Sequence, residues 1–153
     1  MKNVLISALC ALVLVSPLEA QEADDAPVVL VPVEVGDAEL ADFKWVNRVL
    51  VIFADSPLDP SFAEQITLLA ERPDALMDRD VVILTDADPD ARSPIRTELR
   101  PRGFALVIVD KDGRVMLRKP DPWDIREITR AIDKTPLRQQ EIRDEKEAAR
   151  TGG

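Results

Sequence analysis

Two unbroken apolar runs constrain this chain more than any other feature: residues 49–53 (Val-Leu-Val-Ile-Phe) and residues 81–84 (Val-Val-Ile-Leu). A strand without polar alternation has no solvent face, so both runs must be covered on both sides. The segment between them opens at Asp59-Pro60-Ser61 and repeats Phe62, Ile66, Leu69 and Leu76 at helical spacing. Ser61 and Glu64 stand where a capping box would, and Pro73 is placed to kink or divide the helix. Strand, helix and strand in that order predict a parallel pair joined by a crossover.

The remaining elements follow from punctuation. Asp55-Ser56-Pro57 ends the first core strand, and residues 85–90 (Thr-Asp-Ala-Asp-Pro-Asp) form a loop after the second. Ser93-Pro94 opens a helix running to about Arg100, and residues 104–109 make a third strand. Asp110-Lys111-Asp112-Gly113 reads as a tight hairpin turn, with Gly113 free to take a positive φ, and residues 115–117 return antiparallel. Asp121-Pro122 is expected to open the next helix, whose Ile125, Ile128 and Ile132 form one narrow stripe. Thr135-Pro136 restarts a helix, and residues 38–44 suit a short helical turn before Trp45, which is expected in the core. The order β-α-β-α-β-β-α predicts an α/β fold: a thioredoxin-like sandwich with a mixed sheet flanked by helices.

At 153 residues the chain holds one domain of ordinary size, and a 46% hydrophobic content suffices for a packed core. Residues 1–20 read separately as a secretory signal peptide: Lys2, an apolar stretch over residues 4–15, then Ser16-Pro17-Leu18-Glu19-Ala20. The stretch is too short to span a bilayer, so cleavage after Ala20 is expected, and with it a periplasmic or secreted protein. Cleavage removes Cys10, the only cysteine, and the chain has no histidine. Ser-His and Cys-His catalysis, thiol chemistry and the common zinc sites are thereby excluded from the mature chain. Residues 21–37 are an extended leader or linker able to add an edge strand, the domain is placed at 38–143, and residues 144–153 are a charged tail. The net charge of −9 argues against nucleic acid and, after signal cleavage, against membrane, and favours a basic protein or envelope component as partner.

Five short motifs carry a family resemblance. Trp-Val-Asn-Arg-Val-Leu-Val-Ile-Phe over residues 45–53, Arg79-Asp80-Val81-Val82, Gly103-Phe104, Lys111-Asp112-Gly113 and the ending Ile132-Asp133 with Pro136, Arg138 and Glu141 resemble the domain of unknown function 4174 family. The resemblance spans roughly residues 38–143, with Thr135 where the family usually has methionine. It implies a secreted, thioredoxin-like domain, related to one in sushi-repeat-containing extracellular proteins, with no established enzyme activity. It also implies structural roles for Trp45, Arg48, Arg79, Asp80, Lys111, Asp112, Gly113, Pro136, Arg138 and Glu141.

Thioredoxin-like enzymes hold their working thiols between the first core strand and the next helix, where free N–H groups stabilise a thiolate. Residues 54–61 (Ala-Asp-Ser-Pro-Leu-Asp-Pro-Ser) occupy that position without sulfur, and Arg102-Gly103 stands where those enzymes place a cis-proline. A non-catalytic binding or structural module without cofactor is therefore expected. The alternative is a divalent-cation-binding protein or hydrolase. Asp55 and Asp59 follow the first strand and Asp86, Asp88 and Asp90 the second, so parallel strands would bring these carboxylates to one edge. Against a calcium loop, Ala91 stands where the sharp turn needs glycine, and Glu98 comes one place after the twelfth position, Thr97. Turn and helix-cap chemistry accounts for the same aspartates. Trp123 near a helix start, and the charged helix over residues 138–150, are further candidates for docking a partner.

Overall fold

The computed structural model describes residues 30–152. Five strands form one sheet in the order β1-β3-β2-β4-β5: β1 (Val33–Glu34), β2 (Arg48–Phe53), β3 (Val81–Asp86), β4 (Ala105–Val109) and β5 (Val115–Lys119). The two apolar runs are β2 and β3, parallel neighbours in register from Arg48 opposite Val81 to Phe53 opposite Asp86. The leader contributes β1, parallel to β3 at the sheet edge, while β4 and β5 run antiparallel on the other side of β2.

Every residue of β2 is buried, because helices cover both faces. Leu50 and Ile52 point toward α1 (Pro60–Ala70), α2 (Pro73–Met77) and α4 (Ile125–Asp133), where they meet Leu69, Leu76, Ile128 and Ile132. Val49, Val51 and Phe53 point the opposite way, toward α3 (Pro94–Leu99) and the 3-10 turn Leu40–Phe43, meeting Ile95, Leu99 and Leu40. The two-residue alternation of a strand thus serves two cores, and full burial of each large aliphatic side chain contributes about 1.5–3 kcal/mol.

The caps differ in part from the sequence reading. Asp59, not Ser61, caps α1: its carboxylate accepts from the N–H groups of Ser61 (2.8 Å) and Phe62 (3.3 Å). The reason is Pro60, whose fixed φ and missing N–H suit the first helical position and move the cap two residues earlier. The helix breaks before Pro73, as its ring demands. α4 opens at Asp124, after the Asp121-Pro122 pair, because Asp124 and Glu127 form a reciprocal capping box. Thr135 caps α5 (Pro136–Thr151), with Pro136 in its first turn. Residues 144–151 continue this helix and are exposed. The turn before β5 closes through Gly113 N–H to Asp110 C=O (2.9 Å), and Gly113 takes φ 87°. That conformation is open to glycine without strain.

Candidate functional site: two ends of one sheet

The fold places chemistry-bearing side chains at both ends of the central strands. At the carboxyl ends of β2 and β3, Asp86 is buried. Its Oδ2 accepts from Ser93 Oγ (2.6 Å), and its Oδ1 accepts from Arg96 Nε (2.9 Å). Arg96 Nη2 donates to the carbonyls of Ala54 (2.8 Å) and Asp86 (2.9 Å), and its guanidinium lies 5.4 Å from the centre of the Phe53 ring. One arginine on the short helix α3 therefore ties together the ends of both parallel strands.

The other carboxylates of this end are dispersed. Asp55 is largely exposed and 3.9 Å from Arg96 Nη1. Asp59 caps α1, and Asp88 accepts from the Asp90 N–H (3.0 Å) to cap the 3-10 turn Pro89–Ala91. Asp90 is exposed. Among the described residues no group of three His, Cys, Asp or Glu converges as a metal site. Both oxygens of Asp86 are engaged by Ser93 and Arg96, and the caps engage one oxygen each of Asp59 and Asp88.

The corner between β2 and α1 carries Leu58-Asp59-Pro60-Ser61, with Leu58 88% exposed. Gly103, at φ 62°, is near Asp55: a β-carbon there would meet Asp55 Oδ2 at 3.9 Å, an ordinary contact. Beside this corner an open groove of about 1050 Å³ runs between β1, α1 and the loop from β3 to α3.

The opposite end gathers most of the motif residues. Arg48 begins β2 and its side chain is wholly buried. Its Nη1 and Nη2 donate to the two oxygens of Glu141 on α5 (3.1 and 3.2 Å), and Nη1 also donates to the Arg79 carbonyl (3.0 Å). Nε stands 2.9 Å from Asp110 Oδ1 as an ion pair without hydrogen-bond alignment. Lys111 Nζ reaches Asp80 (2.7 Å) and Glu141 (3.0 Å), while Arg138 Nη1 reaches Glu141 (3.1 Å) and Glu145 (3.0 Å). Arg79 faces Asp133 through two hydrogen bonds of 2.8 and 2.7 Å, so it acts through a partner on α4 as well as through its helix end. Asp112 accepts from the Arg114 N–H (3.0 Å) and shapes the hairpin turn.

The electrostatics here move groups away from neutrality. Burial opposes charge on Glu141, but hydrogen bonds from Arg48, Lys111 and Arg138 overcome it and lower the carboxyl from 4.5 to about 2. Burial likewise opposes charge on Lys111 and Arg138, and their carboxylate partners raise both above their ordinary values. A general acid or base works best near ambient pH, so this set is arranged to hold rather than to exchange protons.

Trp45 departs from its expected place. It is 66% exposed, at φ 66°, and its N–H donates to the Lys111 carbonyl (2.7 Å). The left-handed backbone needed to meet the hairpin turn swings its side chain off the core. Trp123 is half-buried and rests against the core. Gln65, fully buried, binds both its N–H and its carbonyl (2.9 Å each), and Lys119 Nζ lies 4.2 Å from its ring centre.

Sequence reasoning missed Arg96, Asp110 and Asp133 as site members. The signal for Arg96 was a lone cation between the apolar Ile95 and Leu99 of a six-residue helix.

The comparisons agree with this architecture. The family described as Domain of unknown function (DUF4174) matches residues 39–141. The reduced 2-Cys peroxiredoxin of Plasmodium vivax is similar at 17% identity, with 68% of this chain and 85% of that one covered and a TM-score of 0.54. Chloroplastic thioredoxin z is similar at 17% identity over 70% of this chain and 96% of that one, TM-score 0.53. Desulfothioredoxin from Desulfovibrio vulgaris Hildenborough is similar at 19% identity over 70% and 100%, TM-score 0.51. These likenesses show a thioredoxin-like fold. No curated protein matches the chain.

Proposed function

We propose that this chain, which belongs to the DUF4174 family, is an exported, non-catalytic thioredoxin-like module that binds another macromolecule rather than transforming one. The observation that carries this reading is the corner Leu58-Asp59-Pro60-Ser61. It stands where thioredoxin-like enzymes place their thiols, between the first core strand and the next helix, and it holds no sulfur. The titratable clusters add support. Asp86 is tied to Ser93 and Arg96, and Glu141 is held at about 2, so neither is poised for acid–base work at neutral pH. Export rests on the pattern of residues 1–20, which lie outside the described residues.

Two measurements test the reading. Protein purified from the cell envelope should begin at Gln21 by N-terminal sequencing, and an uncleaved cytoplasmic product would overturn export. The same protein should not accelerate the reduction of insulin disulfides or hydrogen peroxide by dithiothreitol. Turnover above the buffer rate would overturn the non-catalytic assignment.

A further inference from the structure

We infer that the groove between β1, α1 and the loop from β3 to α3 docks an extended basic polypeptide segment that carries an apolar side chain. This rests on the binding-module reading and names the class of partner. Three independent features of the groove agree. Its wall includes Phe62 and Ile66, half-buried apolar side chains that pack against the core and leave one side to the groove. Its rim carries Glu34, Asp37 and Asp90, exposed carboxylates without an ion-pair partner among the described residues, against one lining cation, Arg92. And β1 lies at the sheet edge, with β3 on one side and no strand on the other among the described residues.

These features select among occupants. Nucleic acid and anionic lipid meet the wrong sign of charge. A metal ion finds no converging ligands among the described residues. A second copy of the chain, at net charge −9, and the chain's own residues 21–25 (Gln-Glu-Ala-Asp-Asp) repeat the sign of the rim. An extended peptide satisfies all three features at once. Its backbone can use the open edge, its cations meet the rim, and an apolar side chain covers Phe62 and Ile66.

The test uses the exported protein and fluorescently labelled nonapeptides of alternating Lys and Leu, alternating Lys and Ser, and alternating Glu and Leu. The Lys-Leu peptide should bind saturably at one per chain, and raising salt to about 0.5 M should weaken it about tenfold or more. Glu34→Lys/Asp37→Lys/Asp90→Lys alters only the rim, so its thermal midpoint should match the parent while its affinity falls by about tenfold or more. The Lys-Ser peptide should bind more weakly, and the Glu-Leu peptide should not bind. Equal binding of Lys-Leu and Lys-Ser, unchanged affinity in the folded triple variant, or no saturable binding would each overturn the inference. Failure here with no enzymatic turnover would leave the non-catalytic reading standing. Turnover would remove that reading whatever the peptides do.

Discussion

At the carboxyl ends of β2 and β3, Arg96 meets Asp86 across 10 residues of sequence, beside exposed loops and an open groove. At the opposite end, Arg48 meets Glu141 across 93 residues, and Lys111 meets Asp80 across 31. The first end is built locally and leaves surface available; the second is closed by four separate stretches of chain and leaves none of its main charges without a partner. A thioredoxin-like scaffold whose usual working corner lacks thiols thus carries its strongest electrostatics at the far end, where they fasten α5 to the central strand. The difference separates a surface free to recognise something from a clamp that holds the domain together.

The sharpest way to break the comparison is Arg48→Ala. It leaves Asp110 and Glu141 facing each other without their shared cation, and urea unfolding should show a loss of about 3–5 kcal/mol. A loss below about 1 kcal/mol would put the far end in the same class as a surface ion pair. Asp86→Asn at the near end should cost less, about 1.5–3 kcal/mol, since Ser93 can still bond the amide and Arg96 keeps its two carbonyls.

Acid titration separates the two ends further. The folded carboxyl of Glu141 lies near 2, below its usual 4.5, so its stabilisation is fully present above about pH 4.5 and is lost as pH falls through 2. Lys111 is raised, so its contribution is present below 10.5 and is lost as pH climbs through the folded value. Glu141→Gln should therefore differ from the parent by a constant amount at neutral pH and converge on it in acid, as followed by thermal midpoint. A gap that persists unchanged at pH 2 would remove the network from the explanation.

Leu58→Cys/Ser61→Cys asks whether the near end retains its thiol-activating geometry. The pair should form a reversible disulfide, with at least one thiol titrating below the ordinary cysteine value in iodoacetamide kinetics. Two thiols of ordinary reactivity would show that the corner has changed shape as well as composition. The smallest effect belongs to Asp55→Asn, within about 0.5 kcal/mol, because its link to Arg96 is long and in solvent.

Much of the fold was legible because it rests on local signals. The apolar runs predicted β2 and β3 and their covered faces, Pro73 predicted the break after α1, and Gly113 predicted the hairpin turn. The cap of α1 was misplaced because Ser61 and Asp59 offer the same chemistry two residues apart, and Pro60 decides between them. Trp45 was misplaced because its exposure follows from a left-handed backbone set by a contact with Lys111, 66 residues later in numbering, which no window around Trp45 contains. Arg48, Arg79, Asp80, Lys111, Arg138 and Glu141 were each visible as motif positions, but their convergence depends on where α5 docks. Asp55, Asp86, Asp88 and Asp90 line one groove at the carboxyl ends of the parallel strands. Yet Asp59 and Asp88 turned inward to their own backbones, an option that every short carboxylate near a free N–H possesses.

The pairing of Arg48 with Glu141 also sets an order of events for a newly made chain. Arg48 lies at the start of the central strand, and its carboxylate partner on α5 is made 93 residues later. Without residue 141, the strand at the heart of the sheet carries a guanidinium that lacks its two-pronged carboxylate partner, and burying it then costs stability. A contact of that separation cannot form while the central strands pair alone, so the buried charge at the heart of the sheet is settled only when α5 docks.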